Sequence, residues 1–249
     1  MTGESTSLAL PNSARAEWRQ WLAFLRRPSL PGEPAPFGRS ALGMARMLSL
    51  DLMVMIVLIG LIGAATAFGL ELPDNALNSL ELTAGTIALL VLVAPLMEEI
   101  AFRSWLSGKP GHVLAIVILF GGVLVSAMLA ETRTGDAADM AVALIVLGAG
   151  LLALVALFLL RKRAPMARFA RLFPVFFWLS TVSFALIHLA NYTEGALAIL
   201  LPLVIPQFVL GSILGYVRVH YGLWSAIALH MLHNGLIVAV VVTAAENAA

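Results

Sequence analysis

From Met47 onward, long apolar runs are separated by short polar interruptions, and the runs are continuous rather than alternating. A helix needs about 20 apolar residues to cross the hydrocarbon core, whereas a membrane strand alternates inward and outward positions over about ten. Seven stretches reach the helical length: 48–70, 83–107, 112–130, 139–160, 173–191, 196–217 and 222–244. The pattern predicts an all-α polytopic membrane bundle of about seven transmembrane helices. Gly60/Ala64, Gly63/Ala67 and Gly211/Gly215 are pairs of small residues at helical spacing, which predict close helix approaches. Pro202 and Pro206 predict a kink in the sixth span.

Composition agrees with that pattern. Apolar residues make up 61% of the chain and charged residues 12%, against about 45–50% and about 25% in soluble domains. A net charge of +1 gives no reason to expect a nucleic-acid partner. The absence of cysteine excludes disulfides, thiol catalysis and thiolate metal sites. The segment before the first apolar run is too long and too rich in arginine for a cleavable signal.

Charge then sets an expected orientation. Lys and Arg gather in the N-terminal tail, at Lys109, in RKRAPMARFAR (161–171) and at Arg218. The intervening connections carry Glu71, Asp74, Glu81, Glu131, Asp136, Asp139, Glu194 and Glu246, with Arg133 as their one basic residue. The positive-inside rule puts the N-terminus in the cytoplasm and the C-terminus outside. The expected setting is a prokaryotic inner or plasma membrane.

Three regions follow. Residues 1–47 form a cytoplasmic tail, in which ARAEWRQWLAFLRR (14–27) places Trp18, Trp21, Leu22 and Leu25 on one face of an interfacial helix. PSLPGEPAPFG (28–38) reads as a linker. Residues 48–82 supply the first transmembrane helix and an outer loop, and residues 83–244 form the membrane domain that carries the unusual polar groups.

An Asp, Lys or Arg at bilayer depth costs at least about 2.5–3.5 kcal/mol on insertion scales, so each ionisable group there needs a reason. Asp51 and His112 lie near predicted helix starts, where interfacial water suffices. VAPLMEEIAFRSWL (93–106) carries Glu98, Glu99 and Arg103 into an apolar run. Glu99 and Arg103 are four apart with the acid first, the favourable direction for an ion pair. Glu98 lies about 100° around the helix. With no cation beside it, Glu98 is free to face a cavity and take a proton from water. FALIH (184–188) sets Phe184 and His188 on one face, and HMLHN (230–234) does the same for His230 and Asn234. His233, displaced by about 60° from His230, is expected to serve packing. Counting about 1.5 Å per residue puts Glu98, His188, His230 and Asn234 about 12–21 Å deep. Three helices thus bring polar groups to a similar level.

EEIAFR, FALIH and HMLHN match EExxxR, FxxxH and HxxxN in that order. In these motifs, over about residues 85–240, the chain resembles the CAAX prenyl endopeptidases and bacteriocin-processing enzymes, the CPBP or Abi membrane proteases. The resemblance implies an intramembrane endopeptidase that hydrolyses a peptide bond of a membrane-associated substrate. It assigns water activation to Glu98 with His188, oxyanion stabilisation to His230 and Asn234, and structural support to Glu99, Arg103 and Phe184. It implies no cofactor; the alternative is a zinc ion held by Glu98, His188 and His230. A peptide or membrane-protein substrate and the lipid bilayer are the expected partners. Glu98 and His188 are further apart in sequence than the family's core layout suggests, which predicts an inserted helical hairpin at about 112–160. HExxH and GxSG are absent, and GDAAD (135–139) lies in a predicted loop. The residues by themselves also leave open a transporter or a non-catalytic immunity protein using the same midplane groups.

Overall fold

The computed structural model describes residues 11–30 and 35–248. Among them the chain is helical and forms no strand. In order the helices are α1 (Ala14–Arg26), α2 (Phe37–Ala67), α3 (Ala84–Ala88), α4 (Ala94–Arg103), α5 (Pro110–Thr132), α6 (Asp136–Leu160), α7 (Ala167–Arg171), α8 (Phe173–Ile187), α9 (Leu197–Leu203), α10 (Ile205–Tyr221) and α11 (Leu223–Ala248). A π-turn over Leu89–Val93 joins α3 to α4, and a 3-10 turn, His188–Asn191, follows α8.

Six continuous helical stretches among the described residues are long and apolar enough to cross a bilayer: Phe37–Ala67, Ala84–Ser107, Pro110–Thr132, Asp136–Leu160, Phe173–Asn191 and Leu223–Thr243. The sixth predicted span is instead a broken pair, α9 and α10, bent by 42°. Proline explains the break, since Pro202 and Pro206 lack the N–H that would continue the ladder. Large side chains such as Leu147, Leu154 and Phe158 are exposed along these helices. That is the expected surface of a protein whose solvent is hydrocarbon. The chain is an integral membrane protein.

The described residues form two compact units. One is Ser104–Leu172, in which α5 and α6 pair as an antiparallel hairpin: Gly122 faces Ala149, and Gly111 faces Leu160. The other runs up to Arg103 and resumes at Phe173, packing α10 against α2, α8 and α11, and α11 against α2 and α4. All the polar residues singled out in the three motifs belong to this second unit.

Several expectations are corrected here. The helix of the first span begins at Phe37, well before the apolar run at 48, so part of the expected linker and tail is helical. Asp51 is therefore mid-helix, and it is fully buried rather than interfacial. In α1 the inward stripe is Glu17, Trp21 and Phe24, while Leu22 is exposed. The stripe rotates because α1 packs on α2 and α10, where the Phe24 ring meets those of Phe177, Tyr216 and His220 edge-on. Glu17 is held by the hydroxyls of Tyr216 and Tyr221 at 2.7 and 2.5 Å. Arg218 is no loop residue; it is buried in α10, where its Nε donates to the carbonyl of Arg103 at 2.9 Å.

The small-residue pairs divide. A Cβ at Gly211 would stand 2.9 Å from Phe184, and one at Gly215 would stand 2.7 Å from Phe177, so α10 and α8 approach closely there as expected. Gly60 and Gly63 face no side chain within 4 Å.

Candidate active site

The site grows from α4, where the helical spacing does what it predicts. Arg103 Nη1 donates to Glu99 Oε1 at 3.0 Å, and both residues are wholly buried. Isolated burial of either charge would cost several kcal/mol, so pairing is required. Three further contacts hold the guanidinium. Its second nitrogen reaches the Gly211 carbonyl at 3.4 Å, and its carbon lies 3.9 Å from the centre of the Phe184 ring and 5.7 Å from that of Phe102. Ser180 on α8 donates to the Phe102 carbonyl at 2.6 Å, which ties α8 to the same turn.

Glu99 has a second task that spacing within one helix cannot reveal. Its Oε1 also lies 3.0 Å from His230 Nδ1 on α11. A carboxylate only accepts, so Nδ1 carries a proton and the ring is fixed in rotation. The opposite nitrogen, Nε2, then stands 3.7 Å from Glu98 Oε2. Arg103, Glu99, His230 and Glu98 form one chain of alternating charge and ring. Glu98 is its accessible end, with its side chain 29% exposed while Glu99 is sealed.

His188 opens the 3-10 turn after α8, and its Nδ1 lies 2.7 Å from the Phe184 carbonyl. A carbonyl only accepts, so Nδ1 donates and Nε2 of the neutral ring is left as an acceptor. The Phe184 ring sits edge-on to both histidines, with ring centres 4.9 Å from His188 and 5.7 Å from His230. One aromatic side chain therefore spaces the two imidazoles and covers the arginine. Asn234, one turn along α11 from His230, donates from Nδ2 to the Leu90 carbonyl at 2.9 Å. Leu90 lies in the π-turn, a widened helical turn of the kind often found at functional sites. The second N–H of that amide has no partner among the described residues.

His233 takes no part in this chain. Its Nδ1 lies 2.6 Å from Asp51 Oδ2 on α2, while Asp51 Oδ1 is buried without a hydrogen-bond partner among the described residues. Two histidine–carboxylate pairs thus lock α11, one to α4 and one to α2. Sequence reasoning missed this second pair, although a lone acid in the first apolar run was its signal. His112, read as interfacial, lies near the start of α5 with Nδ1 2.8 Å from Ser107 Oγ. Among the described residues no three His, Asp or Glu side chains are grouped closely enough to hold a metal ion.

Residues 80–236 match the family described as type II CAAX prenyl endopeptidase Rce1-like. The chain belongs to this family. The matched segment spans α3 to α11 and contains every residue of the three motifs. No curated protein and no solved structure matches the chain. Membership suggests an intramembrane peptidase activity of the CAAX-protease kind, with a lipid bilayer around the protein and a peptide as substrate. α1 and α2, with Asp51, lie outside the matched segment.

Proposed function

We propose that the protein is a glutamate-dependent intramembrane endopeptidase that cleaves a membrane-associated peptide. The observation that carries this reading is the contrast between two adjacent acids: Glu99 is sealed between Arg103 and His230, whereas Glu98 is partly exposed beside His230 Nε2. Glu98 takes a proton from a water whose other hydrogen is accepted by His188 Nε2. The hydroxide oxygen bonds to the scissile carbonyl carbon, and the carbonyl π electrons move onto its oxygen. The second Asn234 N–H donates to that oxyanion, as does His230 Nε2 when the ring carries both protons. Collapse breaks the C–N bond, and the proton on Glu98 passes to the leaving amine. Preorganised donors of this kind supply the larger part of such catalysis, and a positioned base adds about 10²–10⁴-fold.

The basic segments favour an orientation with the N-terminus in the cytoplasm. A purified-protein assay tests the reading. Glu98→Gln should abolish cleavage of a farnesylated, quenched-fluorophore peptide ending in a CAAX sequence while the protein stays folded. Equal turnover by parent and Glu98→Gln would refute the proposal.

A further inference from the structure

Gln207 lies in α10, just past the break at Val204. Its side-chain carbonyl oxygen is buried and has no hydrogen-bond partner among the described residues. In a lipid-embedded bundle such an acceptor is costly, and an unmet one asks for an explanation.

Contacts along α10 fix where this residue stands. Gly211, four residues on, faces Phe184, Arg103 Nη2 and the Thr181 carbonyl, and Gly215 faces Phe177. α10 therefore runs antiparallel to α8, and the next step of that register sets Gln207 beside the end of α8 that carries His188. On the helical wheel Gln207 is about 40° from Gly211 and about 20° from Arg218. Both of those residues touch Arg103, so Gln207 belongs to the stripe that faces α4 and α8. The guanidinium that reaches the Gly211 carbonyl also holds Glu99, so one turn before Gly211 the stripe continues toward the end of α8 that carries His188.

We propose that Gln207 binds the peptide substrate, its side-chain carbonyl accepting a backbone N–H close to the scissile bond. The inference rests on the peptidase reading and assigns it a substrate contact. A peptide drawn into this site loses water from its backbone N–H and C=O groups, and each then needs a protein partner. An acceptor left unmet inside the protein, on the stripe of α10 that faces α4 and α8, meets that need. The break before α10 frees the backbone at that end of the helix, and Pro206 offers no N–H to compete for the amide.

The test uses the full chain in nanodiscs and the farnesylated CAAX peptide, together with versions in which single amides near the cleaved bond are replaced by esters. An ester removes one N–H and leaves the chain length unchanged. In the parent, one ester position should raise KM about 5–10-fold, the scale of one neutral hydrogen bond. Gln207→Leu should raise KM on the all-amide peptide by a similar factor, leave kcat within about threefold, and be indifferent to that ester. Its thermal stability should hold or rise, because a buried unpaired carbonyl has been replaced by hydrocarbon. Gln207→Met, closer in shape, should behave the same way.

A KM unchanged in both variants would overturn the assignment, as would ester penalties identical in parent and Gln207→Leu at every position. A fall in stability and kcat with the ester pattern retained would make Gln207 a packing residue and likewise sink it. If the parent cleaves the peptide and Glu98→Gln does not, these outcomes bear on Gln207 alone. If Glu98→Gln matches the parent, the peptidase reading fails first and takes the contact with it.

Discussion

His230 Nδ1 and Glu99 Oε1 stand 3.0 Å apart across two helices, one inside and one beyond the reach of any spacing rule applied to α4. The pair converts the Glu99–Arg103 ion pair from a local brace into the support of a second helix. Through it, the rotation of the His230 ring and the placement of Nε2 beside Glu98 depend on a residue that never meets substrate.

Glu99→Gln is expected to cut kcat by about 100-fold or more while leaving KM closer to the parent value. The amide presents both a donor and an acceptor, so it no longer forces the proton onto Nδ1. Steady-state kinetics on the fluorogenic peptide reads this split. A loss confined to KM would show that Glu99 does not act through His230.

Arg103→Lys is expected to behave as a non-conservative change. The guanidinium spans Glu99, the Gly211 carbonyl and the Phe184 face, and an ammonium cannot meet all three. The lysine variant should lose about 1–3 kcal/mol of stability. Arg103→Ala should lose about 3–5 kcal/mol by leaving Glu99 buried without its cation, held only by His230 Nδ1. Thermal unfolding in detergent, followed by scattering or tryptophan emission, ranks the two. Lysine matching the parent would dismiss the three-point hold.

Asp51 and His233 offer a test by double substitution. Removing one partner strands the other in a buried position, so Asp51→Ala is expected to cost about 1–3 kcal/mol. Replacing both by leucine should recover most of that stability, because a buried polar pair is often no better than well-packed hydrocarbon. Activity should recover less than stability if the pair also sets the rotation of α11. Additive losses in the double variant would mean that the two side chains do not depend on each other.

Gly211→Ala and Gly60→Ala should part company. A methyl at Gly211 meets Phe184 and Arg103, and overpacking of that sort costs about 1–3 kcal/mol. Gly60 faces open space, so alanine there should be neutral or gain up to about 1 kcal/mol from better helix propensity. Equal effects in a thermal scan would deny the close α8–α10 approach.

The chain by itself determined whatever repeats at the period of one helix. Continuous apolar runs require membrane helices, a spacing of four pairs Glu99 with Arg103 and aligns Phe184 with His188, and proline breaks the sixth span. These are local consequences of 3.6 residues per turn and of a solvent that cannot hydrogen-bond to backbone. Only the tertiary structure decided that Glu99 reaches His230, that Asp51 is buried against His233, that Asn234 closes on the π-turn at Leu90, and that the inward face of α1 carries Glu17. Such contacts join residues separated by most of the chain, and they depend on the rotation and depth of each helix against its neighbours. Helical periodicity fixes the angle between two residues of one helix, but the packing of side chains between helices fixes which way that helix turns.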